Sequence, residues 1–129
     1  MNISHNMVGW FEIPVTDMER AIAFYEAVFE IKLEHMKFPN VDMAMFPAVE
    51  NSIGAAGALS FNEQHYKPSE DGILIYFTAF SGDLSIELGR VEKAGGKVLM
   101  PKMQISPDVG YMGLALDTEG NRIAFHSRS

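Results

Sequence analysis

The chain contains no cysteine among its 129 residues. Disulfides and thiolate chemistry are thereby excluded, and the absence agrees with a reducing, cytoplasmic setting. Basic residues are also scarce: 10 Lys and Arg stand against 17 Asp and Glu, for a formal net charge of −7. That balance argues against a partner held through phosphates, so no nucleic acid is expected. No apolar run approaches the roughly 20 residues of a membrane helix. The opening MNISHNMVGW lacks the basic start and apolar stretch of a signal peptide. No phosphate-binding loop, nucleophile elbow or dinucleotide fingerprint occurs, and the 4 histidines show no HExxH spacing. The expectation is a soluble cytoplasmic protein with neither a nucleic-acid nor a membrane partner.

What is present is a repeat. Trp10 to Phe29 (WFEIPVTDMERAIAFYEAVF) reads as a strand, a tight turn and an amphipathic helix, and a fainter copy follows at Tyr76 to Gly95. Setting Asp83 on Asp17 gives an offset of 66 residues, which places Met18 on Leu84, Ile22 on Leu88, Tyr25 on Val91 and Leu33 on Leu99. Two copies of one supersecondary unit are expected. With 47% hydrophobic residues the chain can fill the core of a single domain.

Val8 to Val15 alternates, with Phe11, Ile13 and Val15 on one face and Trp10 and Glu12 on the other, as a strand requires. Thr16 and Glu19 fit a capping box, and Met18, Ala21, Ile22, Tyr25, Val28 and Phe29 recur at helical spacing. Lys32–Phe38 and Val41–Phe46 form a hairpin about Pro39-Asn40, and Ile53–Phe61 is a strand rich in small residues. Module 1 therefore spans residues 8–61 as βαβββ. Residues 62–72 (NEQHYKPSEDG) are a polar linker. Module 2, residues 73–127, repeats the order: strand Ile73–Phe80, helix Asp83–Ala94 closed by Gly95-Gly96, strand Lys97–Met100, loop Gln104–Gly110, then a hairpin of Tyr111–Leu116 and Arg122–Ser127.

Strand parity collects candidate site residues. With the 66-residue offset, Trp10 matches Tyr76 and Glu12 matches Thr78. Arg122, Ala124 and His126 point away from the apolar Ile123 and Phe125, and Ala58 takes the same side of its own strand. Polar and small residues from separate strands thus share one face, and two curved sheets would make of it a cup with Glu12, Thr78, Arg122 and His126 on its wall. Glu12, beside Trp10, is a candidate general base or acid, or else a structural partner of Arg122 or Lys102. His126 is a base, a ligand or a hydrogen-bonded structural histidine. Trp10, Tyr76 and Tyr111 offer aromatic walls for a planar ligand.

Three motifs resemble signatures of the vicinal oxygen chelate superfamily, which includes glyoxalase I, bleomycin-resistance proteins and extradiol dioxygenases. They are the strand, Asp17 and helix ending AFYEAVF; KAGGKVLMPK (Lys93–Lys102); and DTEGNRIAF (Asp117–Phe125). The WFE start further resembles the WFE-type glyoxalase-related subgroup. The resemblance implies an α+β fold of two βαβββ modules forming a curved mixed sheet around a cup, and commonly a homodimer. The metal enzymes of the group carry His or Glu at four cup positions. Matched residue by residue, these fall on Trp10, Ile75 or Tyr76, Ala124 and about Ala58, so the resemblance implies neither metal nor other cofactor here. Glu30 departs from the glycine that often ends the first helix in the group.

The expectation is a metal-independent small-molecule pocket protein, formed within one chain or across a dimer. As an enzyme it would transfer protons in a lyase or isomerase reaction, with Glu12 as base assisted by His126 or Tyr76. As a sequestering protein it would stack its ligand on Trp10, Tyr76 and Tyr111, beside Thr78, Arg122, Ala124 and Ala58. A metal lyase or dioxygenase with relocated ligands would draw on Glu12, His126 and one of His35 or Asp42.

Overall fold

A computed structural model describes residues 2–129. Its elements run β1 (Trp10–Pro14), α1 (Met18–Phe29), β2 (Glu34–Phe38), β3 (Val41–Met45), β4 (Ala56–Phe61), β5 (Ile75–Thr78), α2 (Leu84–Leu88), β6 (Lys97–Ser106), β7 (Gly110–Leu116) and β8 (Arg122–Ser127). The order is βαβββ twice, as the repeat requires. Each module closes a four-stranded mixed sheet, β1-β4-β3-β2 and β5-β8-β7-β6. In both, the first and last strands run parallel, joined through the helix, and the other pairs are antiparallel.

Three local expectations are corrected. Asp17, not Thr16, is the N-cap of α1: its carboxylate accepts the Arg20 amide at 3.1 Å. The helix ends at Glu30, which takes the left-handed conformation usually left to glycine (φ 56°). Second, α2 is a single short helix rather than twelve residues. It gives way at Gly89 to turns held by i to i−3 bonds from Arg90 and Val91, since glycine is a poor helix former. Third, β6 continues to Ser106, through much of the segment read as a loop. Its pairing with β7 shifts register three times, and Pro101 is tolerated because β6 is a sheet edge.

The helices pack on one side of the sheets over a shared core. Val15, Ala21, Phe24, Tyr25 and Val28 have no exposed surface. Tyr25 and Phe29 of α1 meet Phe46 of module 1 and Phe77 of module 2, and Phe29 stacks on Phe125 at 5.4 Å. Each such ring contributes roughly 1.5–3 kcal/mol by burial, so this cluster is the apolar bond between modules.

A polar bond closes the same seam. Glu119, in the β7–β8 turn, accepts from the amides of Thr16 and Asp17 at 2.9 Å and from Arg20 Nε at 2.8 Å. Its side chain is fully buried. Burial pushes the Glu119 pKa up, but the hydrogen bonds from Arg20, Asp17, Thr16 and Thr118 outweigh it and bring it to about 2. Beside it Asn121 Nδ2 donates to the Pro14 carbonyl, and the Tyr25 hydroxyl donates to Asp117 at 2.6 Å. Burial, then the Asp117 charge, holds the Tyr25 phenol well above its usual pKa.

Candidate functional site

Register sets which residues share a face. On the side of the sheets away from the helices, Trp10 pairs with Ala56, Glu12 with Ala58 and Pro14 with Ser60. In module 2, Tyr76 pairs with Ala124 and Thr78 with His126, while Met112 joins His126 from β7. The structure thus corrects the match between modules. Pro14–Ser60 corresponds to Thr78–His126, because the next amides, Val15 and Ala79, bond to the Ser60 and His126 carbonyls respectively. The first strands are offset by 64 residues (78 − 14) and the last by 66 (126 − 60). The two extra residues lie in the β5–α2 turn, around Ser81-Gly82. Glu12, not Trp10, is therefore the counterpart of Tyr76, and Ala58 that of Ala124.

Glu12 pairs with neither Arg122 nor Lys102. One carboxylate oxygen accepts from the Tyr66 hydroxyl at 2.5 Å and the other from Trp10 Nε1 at 3.1 Å. The Tyr66 pKa is raised, first by the bond to Glu12 and then by burial and the carboxylate charge, with the nearby Ser60 hydroxyl opposing. Ser60 is fully buried, and its Oγ has no hydrogen bond of ordinary geometry. Tyr66 comes from the linker and was missed by strand parity, which says nothing about loops. Its signal was composition: it is the one aromatic residue in NEQHYKPSEDG. Asn62 aims it, accepting the Gln64 and His65 amides on its side chain and the Tyr66 amide on its carbonyl.

The equivalent face of module 2 is more open. Tyr76 is 50% exposed, and its hydroxyl reaches only Met112 Sδ at 3.9 Å. Thr78 is exposed. His126 Nε2 donates to the Val109 carbonyl at 2.7 Å, so it is the hydrogen-bonded histidine of the three readings. Arg122 Nε is buried without a partner. Tyr111 leaves the predicted wall: it pairs with Ser127, one residue out of phase with His126, and so lies on the helix-side face beneath Lys102 (4.6 Å from the ring centre). Lys102 in turn pairs with Asp83 at 2.8 Å, which holds that carboxyl near a pKa of about 2.

An apolar concavity lies at the seam. A crevice of about 480 Å³ opens between β5 and the segment around residues 46–56. Phe11, Phe29, Phe46 and Phe77 line it, with Tyr76 and Thr78 at the strand edge. Of the predicted site residues only Tyr76 and Thr78 belong to it. Strand alternation places Phe11, and helical spacing Phe29, on apolar faces, and all four rings belong to or pack against the core; at this end of the seam they also line the crevice.

The residues do not fit the metal shell of the superfamily's metal enzymes. The corresponding strand positions hold Trp10 or Glu12, Tyr76, Ala58 and Ala124, and two alanines supply no donor atom. His35 pairs with Asp42 at 2.7 Å, on the helix-side face by register with Ala44 and Leu59 and so opposite Glu12. Among the described residues no group of three or more His, Asp or Glu side chains is gathered to hold a metal ion.

Residues 7–125 match the family model of the Glyoxalase/Bleomycin resistance protein/Dioxygenase superfamily. The chain belongs to this superfamily. A glyoxylase-like domain-containing protein of Didymella fabae is 31% identical, with 98% of this chain and 97% of that one covered. Among solved superfamily folds, a glyoxalase/bleomycin resistance protein from Albidiferax ferrireducens superposes with a TM-score of 0.69 at 18% identity, covering 96% of this chain and all of that one (100%). An antibiotic-binding protein from a Streptomyces species gives 0.67 at 22% identity, over 100% and 99% of the two chains. Glyoxalase I from Zea mays gives 0.68 at 19% identity over 92% of this chain, which spans only 45% of the maize chain. The superfamily fold is thus an α+β pair of four-stranded mixed sheets. No helix of the described residues is long and apolar enough to cross a membrane.

Proposed function

We propose that this protein binds a small, flat, largely apolar organic molecule in the seam crevice and does so without a metal. The observation that carries the reading is the crevice itself: about 480 Å³, walled by five phenylalanines (Phe11, Phe29, Phe46, Phe77 and Phe80), with Tyr76 and Thr78 in its lining. Pockets of this size and lining are the usual form of a small-molecule site. The donor-poor strand positions support metal independence. Proton transfer by Glu12 is the weaker reading, since both of its carboxylate oxygens already accept hydrogen bonds. Sequestration without turnover draws further support from the structural neighbour described as antibiotic-binding. We also take the protein to act in the cytoplasm as a homodimer.

Indole is a suitable neutral probe. Titrated into isotopically labelled protein, it should shift the amide resonances of Ile75–Thr78 in a saturable manner, and Thr78→Trp, which fills the crevice mouth, should abolish the shifts. Undisturbed β5 amides at millimolar indole, or shifts that survive Thr78→Trp, would remove the reading.

A further inference from the structure

The docked turn at one end of the seam shows where its counterpart at the other end would dock. Glu119 meets the amide and the hydroxyl of Thr16, the residue after Val15. Val15 corresponds to Ala79, and Glu119 to the residue 66 positions earlier, so the equivalent pair is Phe80 and Ile53. Both line the crevice, and neither covers the other: Ile53 is 94% exposed and Phe80 72%. We propose, on the basis that the seam crevice is the ligand site, that residues 51–55 form a flap that closes when a ligand fills the crevice, seating Ile53 on Phe80 over the bound molecule.

The bank that moves is unsupported. Among the described residues, no backbone hydrogen bond of ordinary geometry holds residues 51–55. The docked turn, by contrast, is tied by the Asp117 amide on the Asn121 carbonyl and the Asn121 amide on the Asp117 carboxylate, each at 2.9 Å. Behind the flap a second hollow of about 580 Å³ separates Asn51–Gly54 from the N-terminal segment around Ile3–Asn6. The turn is thus packed on neither side. Asn51 (φ 57°) and Gly54 (φ 102°) bound it, and a Cβ at Gly54 would meet nothing within 4 Å, so the chain has room to pivot there.

The bank that receives it is fixed. Glu87 of α2 is 1% exposed and accepts both the Ser81 hydroxyl at 2.7 Å and the Ser81 amide at 3.0 Å. The Gly82 amide donates to the Ala79 carbonyl at 3.0 Å. Phe80 therefore stands on a turn tied at both sides of it.

The ligand decides the position of the flap. Shut over an empty crevice, it would enclose about 480 Å³ of largely apolar space, without contacts and with few partners for water. A bound ring fills that space, and its surface is buried together with Ile53 and Phe80, so closure is favoured in the complex alone. The cover is a branched aliphatic chain on an aromatic ring, with no polar group. It selects an uncharged aromatic molecule that lies wholly beneath Ile53; a charged group at the mouth would have to give up its water on closure.

Indole is again the probe. The expected result is a nuclear Overhauser contact between an Ile53 methyl and the Phe80 ring that is absent in the free protein and present at saturating indole. Ile53→Ser should still show the β5 amide shifts but release indole at least tenfold faster. Shifts at β5 without the contact, a contact already present without indole, or unchanged release from Ile53→Ser would overturn the flap and leave the crevice as the ligand site. Absence of the β5 shifts would remove both. The chain has no cysteine, so Ile53→Cys combined with Phe80→Cys gives a trap. It should form a disulfide under mild oxidation, and the oxidised protein should take up indole at least tenfold more slowly until reduced. No cross-link, or uptake unaffected by it, would also overturn the flap.

Discussion

The turn at residues 117–121 and its repeat counterpart 66 residues earlier, 51–55, stand at opposite ends of the seam between modules. The first is closed on module 1: Glu119 caps the start of α1, Asn121 holds the Pro14 carbonyl, and Asp117 is 4% exposed. The second is open, with Ile53 standing 94% exposed where Glu119 stands in the other copy. An isoleucine cannot accept a backbone amide, and α2 does not need one. Its start is satisfied by its own Asp83 and by Ser127 Oγ, which accepts the Leu84 amide. Two additional residues in the β5–α2 turn complete the mismatch. The crevice is what remains of a seam that one side chain shuts at one end and nothing shuts at the other. In a duplicated fold, the place where the copies fail to match is where space for a ligand appears.

The largest effect should come from opening the closed end. Glu119→Ala removes a buried, multiply bonded carboxylate and leaves Arg20 and two helix-start amides without their acceptor; a loss of about 3 kcal/mol is expected in urea unfolding. Glu119→Gln should show the same contrast through pH. The folded pKa of about 2 lies below the ordinary carboxylate value of 4.5, so protonation favours the unfolded chain. The stabilisation is complete above pH 4.5 and is lost as pH falls toward 2. The wild type should therefore lose melting temperature over that window more steeply than Glu119→Gln; parallel curves would mean Glu119 is not the clamp. At the open end, Ile53→Ser should change unfolding free energy by no more than about 0.5 kcal/mol. A loss near that of Glu119→Ala would show that the 51–55 turn is docked after all.

Much of the scaffold was legible in the sequence because it is written in short-range periodicity. Alternation from Phe11 to Val15 and the helical stripe from Met18 to Phe29 gave β1 and α1, and the Arg122–Ser127 strand matches to the residue. Errors came where periodicity is silent. The length of α2 turned on Gly89, and the continuation of β6 through Pro101 turned on an edge position visible only once the sheet order is known. Thr16 does not cap the helix: its hydroxyl and amide both donate to a carboxylate 103 residues away, and the Asp17 carboxylate accepts the Arg20 amide instead.

The site was legible only in part. Parity correctly put Trp10, Glu12, Ala58, Tyr76, Thr78, Arg122, Ala124 and His126 on the faces away from the helices. It was not applied to Tyr111, which was named as a wall but stands one residue out of phase with it, and it carried the 66-residue offset into strands that obey 64. It could not supply Tyr66, whose position depends on the path of the linker, or the crevice, which arises from the fit between two modules rather than from either alone.

The central claim, a seam closed at one end and open at the other, is most directly tested by amide hydrogen exchange of the protein without ligand at neutral pH. The amides of Thr16 and Asp17, bonded to Glu119, and of Asn121, bonded to Asp117, should exchange slowly, near the limit set by global unfolding. Those of Ser52, Ile53 and Gly54 should exchange within the dead time of the experiment. Comparable protection at the two ends would contradict the account.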